Sequence, residues 1–238
     1  MLIVEKEPKS IAAEAYRTLR TNIQYSSFDN NIKTILVTSS GPAEGKSTTA
    51  GNLALSMAQS DKKVLIIDCD LRKPTVHKKF NISNEKGLSN YLIGEVKLDE
   101  VMTKYSDNLY LLTSGTIPPN PAEMLSSKKM KEFLESMKNQ FDSIIIDSPP
   151  VLAVTDAQIL STIVEGVLLV VATGETEKEA TIKSKELLKK VSANILGVVM
   201  TKMPVNTGKG YGYGYGYGYY YYYGEDHKKH TKRSKKKK

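Results

Sequence analysis

The chain has 238 residues, 40% of them hydrophobic and 25% charged, which is the composition of a globular protein rather than of a fibrous or wholly disordered one. Its one cysteine, Cys69, excludes an internal disulfide framework and fits a reducing compartment. Residues 208–238 carry +7 of the net charge of +8, so the first 207 residues are nearly neutral, and we expect no nucleic-acid partner. The basic end could contact anionic lipid, nucleic acid or an acidic protein, or could be a solvated terminus only.

The sequence shows no membrane-targeting segment. The first ten residues lack the apolar stretch of a secretory signal, and the longest strongly apolar run, Val167–Ala172, is too short to cross a bilayer. We therefore expect a cytoplasmic protein whose contact with a membrane comes through a partner or through the basic end.

Helical and extended patterns alternate along the chain. Residues 10–26 place apolar side chains at every fourth position, which predicts a helix, and further helical patterns cover residues 46–59, 122–140, 156–163 and 177–191. Apolar, β-rich runs predict six strands: Thr34–Thr38, Val64–Ile67, Leu109–Leu112, Ile144–Ile146, Val167–Val171 and Ile195–Val199. This alternation predicts an α/β, three-layer domain over residues 1–207 with a mostly parallel central sheet, and with ligands bound beyond the carboxyl ends of the strands.

The strongest motif follows the first predicted strand. It matches a phosphate-binding P-loop except that serine replaces the first glycine, and it comprises Ser40, Gly41, Pro42, Ala43, Glu44, Gly45, Lys46, Ser47 and Thr48. Gly45 permits the tight turn that points backbone N–H groups at a phosphate, and Lys46 is expected to reach the β- and γ-phosphates of a nucleotide. The Ser47 hydroxyl is expected to bind Mg²⁺. The alternative is a glycine turn with a structural function only.

Two predicted strands end in aspartates. The strand before Asp147 has the Walker B pattern, so Asp147 is expected to bind Mg²⁺, with a cap of the next turn as the alternative. Asp68 and Asp70 follow another strand and face the same side of an extended chain, where they could bind metal or receive a proton. Arg72, just beyond, could steady a phosphate or an acidic substrate. Cys69 is expected to pack in the core and not to act as a nucleophile.

The C-terminal segment is dominated by tyrosine and glycine. Nine of the fourteen tyrosines lie here: Tyr211, Tyr213, Tyr215, Tyr217, Tyr219, Tyr220, Tyr221, Tyr222 and Tyr223. Without aliphatic residues the segment cannot bury enough surface to offset the entropy of ordering, so residues 208–238 are expected to form a disordered, tyrosine-rich and basic tail. Phenols in such number are candidate phosphorylation sites, and the alternative is a low-complexity tail without that role.

These motifs in combination resemble the bacterial tyrosine kinases that control capsule and exopolysaccharide synthesis, in the stand-alone cytoplasmic form of Gram-positive bacteria. The resemblance covers nearly the whole chain. Ser40–Thr48, Val64–Arg72 and Ile144–Asp147 match the Walker A, A′ and B motifs of the family, and Tyr211–Tyr223 match its tyrosine cluster. The resemblance implies a P-loop NTPase fold that binds ATP and Mg²⁺ and transfers the γ-phosphoryl group to protein tyrosines, chiefly on the tails of neighbouring subunits.

The resemblance also implies a role for each residue. Those expected at the reacting groups are Lys46, Asp68, Asp70 and Arg72, and those expected at the metal are Ser47, Asp70 and Asp147. Asp68 is favoured as the group that accepts the phenol proton, with Asp70 as the alternative. A free carboxylate is a weak base against a phenol of pKa about 10, so proton transfer is expected late in the reaction.

The first predicted helix carries one more family motif. Glu14, Arg17 and Arg20 are spaced three apart and share one flank of the helix. The local interpretation is a Glu14–Arg17 pair on a solvated face, whereas in the family this motif lies at the subunit interface of a ring-shaped homo-oligomer. The resemblance further implies a transmembrane activator of the polysaccharide co-polymerase type, which would hold the kinase at the inner face of the cell membrane, and a cognate phosphotyrosine phosphatase.

Two other functions remain open at this point. The ParA- and MinD-like ATPases that position partition and division machinery share the phosphate loop, but they carry an additional lysine five residues before the catalytic one, where this chain has Gly41. A non-catalytic scaffold phosphorylated by another kinase is disfavoured because Lys46, Ser47, Asp68 and Asp147 are all present.

Overall fold

Seven strands form one central sheet within residues 2–26 and 32–204, the part of the chain described by this computed structural model. In spatial order they are β3 (Met102–Lys104), β4 (Leu109–Leu112), β2 (Val64–Asp68), β5 (Ser143–Asp147), β1 (Thr34–Ser39), β6 (Gly166–Ala172) and β7 (Ile195–Thr201). Neighbouring strands are parallel except β3 and β4, which are antiparallel. The predicted α/β fold with a mostly parallel sheet is confirmed.

Helices connect the strands and cover the sheet. They are α1 (Ile3–Lys6), α2 (Ile11–Tyr25), α3 (Lys46–Ala58), α4 (Val76–Phe80), α5 (Leu88–Ile93), α6 (Leu98–Val101), α7 (Pro121–Ser126), α8 (Lys128–Lys138), α9 (Asp156–Ser161) and α10 (Lys178–Lys190). Residues up to Met203 belong to one compact unit. The tyrosine cluster and the basic end lie outside the described residues, so the predicted boundary at 207/208 stays a prediction.

The predicted helix over residues 122–140 is wrong as a single helix. Ser127 has extended backbone angles, and its side chain accepts a hydrogen bond from the Met130 N–H, so it ends α7 and caps the start of α8. Serine favours this position because its hydroxyl oxygen satisfies a free N–H of the first turn. The edge strand β3 and the short helices α1, α4, α5 and α6 were not predicted, because segments of three to six residues are too short to show a hydrophobic period.

The central strands β1, β2 and β5 are buried on both faces, as their continuous apolar runs predict, whereas the edge strand β7 is partly exposed. Alternate residues of one strand enter different cores: Leu36 packs in one core with Phe133 of α8, and Val37 packs in the other core with Leu53 of α3. Each of these side chains is at most 2% exposed. The three-layer arrangement is therefore a consequence of the period-two alternation within β1, β2 and β5.

The sheet order places three loops beside one another. β5 lies between β1 and β2, and Asp147 at its end is in register with Asp68 of β2 and with Val37 of β1. Because parallel strands end at the same edge, the phosphate loop after β1, the aspartates after β2 and Asp147 are close neighbours. No helix within the described residues is long and apolar enough to cross a bilayer.

Candidate active site

The loop between β1 and α3 is shaped by two residues with positive φ. Ala43 has φ 60° and Gly45 has φ 96°, and the helix begins immediately afterwards at Lys46. A Cβ atom on Gly45 would lie 3.3 Å from Cγ2 of Thr201 at the end of β7, so glycine is required both by the backbone angle and by the space. The glycine that the sequence identified as the turn residue is therefore confirmed as the left-handed N-cap of α3.

Glu44 holds the loop from inside. Its carboxylate accepts hydrogen bonds from the N–H groups of Ser40, at 3.1 Å, and Gly41, at 2.9 Å, and the residue is only 7% exposed. Its backbone carbonyl accepts a 2.6 Å hydrogen bond from the Thr201 hydroxyl. The loop is thus braced by its own side chain and by a distant strand.

Lys46 lies among the carboxylates that the sequence singled out. Its Nζ donates a 2.9 Å hydrogen bond to Oδ2 of Asp70 and a 3.2 Å hydrogen bond to the Ser47 hydroxyl oxygen, and it lies 3.7 Å from Oδ1 of Asp147. Burial lowers the pKa of Lys46, but the charges of Asp147 and Asp70 outweigh that effect and raise the pKa above its ordinary value. The ammonium is therefore charged at neutral pH and neutralises the nearby carboxylates.

Asp68 is bound by the backbone of the loop that follows it. Its Oδ2 accepts hydrogen bonds from the N–H groups of Thr75 and Val76, and its Oδ1 accepts one from Asp70, at 3.0–3.1 Å. Complete burial, with the charge of Asp147 nearby, raises the pKa of Asp68 to about 8, against the opposing effect of the Val76 N–H. Asp68 therefore orders the loop after β2 and is also a stronger base than a solvated carboxylate.

Asp147 is fully buried without a hydrogen-bond partner. Neither of its carboxylate oxygens is hydrogen-bonded within the described residues, and burial raises its pKa against the opposing charge of Lys46. The Lys46 ammonium, 3.7 Å from Oδ1, offsets part of the cost of burying this charge, and a ligand that contacts the carboxylate oxygens would offset more of it. A hydroxyl at Ser47 and carboxylates at Asp70 and Asp147 form a set of hard oxygen donors, which fits Mg²⁺.

The raised pKa values of the buried Asp68 and Asp147 predict that the free energy of unfolding falls as the pH rises above neutral. Unfolded Asp68 has a pKa of about 4, so above that value and up to the folded pKa of about 8 the folded chain binds more protons than the unfolded chain. The unfolding free energy of the nucleotide-free protein should therefore fall by about 1 kcal/mol between pH 7 and pH 8.5, and urea denaturation at the two pH values measures it.

Two other groups bear on this experiment. The buried Cys69 thiol, whose pKa is well above its ordinary value, acts in the same direction. His77, whose pKa is lowered by burial, acts in the opposite direction but only near pH 6.5 and below, outside the measured window. An unfolding free energy at pH 8.5 that equals or exceeds the value at pH 7 would show that ionising Asp68 and Asp147 does not destabilise the fold.

Arg72 is paired with a residue outside the predicted set. Its guanidinium makes two hydrogen bonds of 2.9 and 3.0 Å to the carboxylate of Asp156, a fully buried residue at the start of α9. This bidentate pair ties the loop after β2 to the segment after β5. The catalytic role expected for Arg72 stays a prediction. Cys69 is fully buried with the side chains of the α8 core, and its raised pKa keeps it a neutral thiol, in line with a packing role.

The charged motif of α2 is engaged within the chain. Arg17 pairs with Glu14 at 2.8 Å and donates a 2.6 Å hydrogen bond to the Pro8 carbonyl, and Arg20 donates a 2.6 Å hydrogen bond to the carbonyl of Ser56 in α3. These contacts match the local interpretation of the motif. Its role between subunits stays a prediction.

Two residues that fix loops of this site through distant contacts were not predicted as site residues. They are Thr201, through its hydroxyl, and Asp156, through its carboxylate. Glu44 was predicted as part of the phosphate loop, but the local contacts of its carboxylate with that loop were not predicted. The sequence gives only a weak indication that Asp156 fixes a loop, because an acidic residue at the start of a helix is usually explained by its favourable interaction with the helix dipole.

Comparison with known proteins agrees with this geometry. Residues 32–195 match the family described as AAA domain. The chain is 49% identical to tyrosine-protein kinase YwqD of Bacillus subtilis over 200 residues, covering 84% of each protein. The chain belongs to the bacterial tyrosine kinases. It is also 41% identical to the putative tyrosine-protein kinase CapB of Staphylococcus aureus over 206 residues, covering 86% of this chain and 90% of CapB.

Solved structures of this family share the fold. The chimerical protein CapA2B2 superposes with a TM-score of 0.82 at 40% identity, covering 86% of this chain and 90% of the chimera. The kinase domain of Escherichia coli ETK gives a TM-score of 0.83 at 34% identity, covering 90% of this kinase and 84% of that chain. The MinD protein of Pyrococcus horikoshii, complexed with Mg-ADP, gives a TM-score of 0.60 at 26% identity, covering 71% and 69% of the two chains. The kinase thus has the P-loop NTPase fold, which binds nucleotide.

Proposed function

We propose that this kinase uses Mg·ATP to phosphorylate the tyrosine cluster of its own tail, between subunits, and that it thereby regulates the synthesis of capsular or extracellular polysaccharide. The observation that carries the proposal is the position of Lys46 at the end of the phosphate loop. Its ammonium is hydrogen-bonded to Asp70 and lies close to Asp147. A tail with nine tyrosines supplies acceptors on the same chain. Membership of the tyrosine-kinase family supports tyrosine as the acceptor.

The chain's own groups account for the binding of ATP and the neutralisation of charge. The backbone N–H groups of the loop and the N-terminus of α3 would face the phosphates, and the Lys46 ammonium would neutralise charge on the transferred group. Ser47, Asp70 and Asp147 would hold Mg²⁺, which when bound offsets the negative charge of the phosphates. Phosphoryl transfer needs mainly positioning and charge neutralisation, and these groups supply both.

Asp68 is our candidate for the proton acceptor. A carboxylate offers about four lone-pair sites, and the three backbone N–H groups on Asp68 leave one of them, on Oδ1, unused. Because Asp68 is fully buried, a phenol would reach this oxygen only if the loop after β2 moved. Its pKa of about 8 lies closer to that of a phenol than an ordinary carboxyl pKa does. Asp70, whose oxygens accept hydrogen bonds from Lys46 and the Lys73 N–H, remains the alternative.

Transfer between subunits can be tested with two complementary chains. A Lys46→Met chain that keeps its tail is mixed with an active chain truncated after residue 207, and phosphotyrosine is measured on the Lys46→Met tail by mass spectrometry. The sixteen residues 208–223 reach at most about 50 Å when extended, so transfer within a subunit and transfer to a neighbour are both geometrically open. We expect label on the Lys46→Met chain in the mixture and none on that chain alone. No label in the mixture, with a wild-type control that labels itself, would exclude transfer between subunits.

The assembly and its location are part of the same proposal. Glu14, Arg17 and Arg20 would contribute to a ring of subunits, and a transmembrane activator of the polysaccharide co-polymerase type would hold the ring at the inner face of the membrane. The similarity to a chimerical protein, CapA2B2, supports a separate partner chain. A cognate phosphotyrosine phosphatase would reverse the modification.

A further inference from the structure

The phosphate loop is anchored to the last strand of the sheet. The Thr201 hydroxyl donates a 2.6 Å hydrogen bond to the carbonyl of Glu44, which is nearer than its other acceptor, the Val171 carbonyl at 3.4 Å. Its methyl carbon lies 3.3 Å from the place where a Cβ atom on residue 45 would be. Thr201 and Glu44 are 157 positions apart in the sequence. Thr201 therefore connects the phosphate loop to the end of β7, a strand that is not part of the P-loop motif.

Thr201 is itself fixed independently of the loop. It pairs with Ala172 in the parallel ladder between β6 and β7, and its carbonyl accepts a 3.0 Å hydrogen bond from the Thr173 N–H. Its hydroxyl thus extends from a hydrogen-bonded strand end rather than from a free loop. The direction of the bond to Glu44 is therefore set by the sheet.

This bond determines the orientation of one peptide group. In a trans peptide the C=O and N–H point in opposite directions. Because the Glu44 carbonyl points at Thr201, the N–H of Gly45 in the same peptide unit points away from Thr201. A backbone N–H facing into a loop at the start of a helix is the group that such a loop offers to a phosphate.

We propose that Thr201 is a positioning residue for nucleotide binding, which acts by orienting the Glu44–Gly45 peptide so that the Gly45 N–H faces the phosphates. The proposal rests on nucleotide binding by the phosphate loop, and not on the identity of the phosphoryl acceptor. The Gly45 N–H would contact phosphate both before and during transfer. Loss of the Thr201 hydroxyl should therefore weaken nucleotide binding more than it slows the chemical step.

The test compares variants at two threonines. Thr201→Val removes the hydroxyl and keeps the methyl group against Gly45, whereas Thr201→Ser keeps the hydroxyl. Thr173→Val is the matched control, because the Thr173 hydroxyl lies at the same edge and donates to the Met203 sulfur, not to the loop. Dissociation constants for MgADP are measured by calorimetry, and thermal unfolding without nucleotide is recorded for each chain.

We expect Thr201→Val to bind MgADP about three- to tenfold more weakly, the effect of losing one hydrogen bond. In the kinase assay its KM for ATP should rise by the same factor, with kcat within about twofold of wild type. Thr201→Ser and Thr173→Val should bind within about twofold of wild type. Because binding is measured below the unfolding transition of every chain, a lower unfolding temperature alone would not reproduce this pattern.

The outcomes separate this inference from the proposed function. If wild type and Thr201→Val bind MgADP equally, or if Thr201→Ser binds as weakly as Thr201→Val, the positioning role is wrong while the kinase assignment stands. If the wild-type chain does not bind MgADP, the proposed function and this inference both fail.

Discussion

Replacing Lys46 with methionine is expected to lower the rate of tyrosine phosphorylation by a factor of about 10²–10³. The Lys46 ammonium bonds Asp70 and lies 3.7 Å from Asp147, so it holds a positive charge where the phosphates and the metal would meet. Methionine has a similar length but no charge and no N–H group. The measurement is the initial rate of phosphotyrosine formation at saturating Mg·ATP.

The same substitution should leave the chain folded. It removes the positive charge beside Asp70 and Asp147, and it raises the pKa of Asp147 further, so the loss of stability should be about 1–3 kcal/mol at pH 8 and smaller at pH 6. Lys183→Met, on an exposed position of α10, is the control and should change neither rate nor stability. A Lys46→Met rate within tenfold of wild type, from a folded chain, would mean that the reacting groups lie elsewhere.

Replacing Asp147 with asparagine should separate stability from activity. The two carboxylate oxygens are buried without hydrogen-bond partners, so removing their charge should raise the unfolding free energy of the nucleotide-free protein by about 1 kcal/mol. Activity should fall by about 100-fold or more, because the amide is a poor substitute for a carboxylate at Mg²⁺. Urea denaturation and a titration of the reaction rate with Mg²⁺ measure the two effects.

Asp142→Asn is the matched control for this substitution. Asp142 precedes β5, is exposed, and accepts a hydrogen bond from the Lys63 N–H, which an asparagine oxygen can also accept. It should leave activity and Mg²⁺ dependence unchanged. An Asp147→Asn chain that keeps a tenth of wild-type activity with an unchanged Mg²⁺ requirement would remove Asp147 from the metal site.

The sequence predicted those parts of the molecule that depend on local pattern. Three strands could be predicted because each is a continuous apolar run with a clear end. They are β1, which precedes the phosphate loop, and β2 and β5, which end at Asp68 and Asp147. Gly45 could be predicted because only a glycine readily adopts its left-handed backbone. The break at Ser127 was missed because the apolar pattern continues from α7 into α8 with no glycine or proline between them.

The contacts that fix the loops could not be predicted in this way. Arg72 and its partner Asp156 are 84 residues apart, and Thr201 and Glu44 are 157 residues apart. Such pairs arise from the order of strands in the sheet, which local periodicity does not specify. Likewise, the three N–H groups on Asp68 come from a loop whose path depends on packing around α4. The carboxylate that looked like a free base is therefore also a structural anchor.

The most direct test of the proposed function is site-resolved mass spectrometry of the purified wild-type chain after incubation with Mg·ATP, with and without the cytoplasmic segment of the proposed activator. We predict phosphate on tyrosines within Tyr211–Tyr223, accumulating with time and absent when Mg²⁺ is withheld. A wild-type chain that binds and hydrolyses ATP in the presence of the activator segment, yet carries no phosphotyrosine in this cluster, would contradict the account.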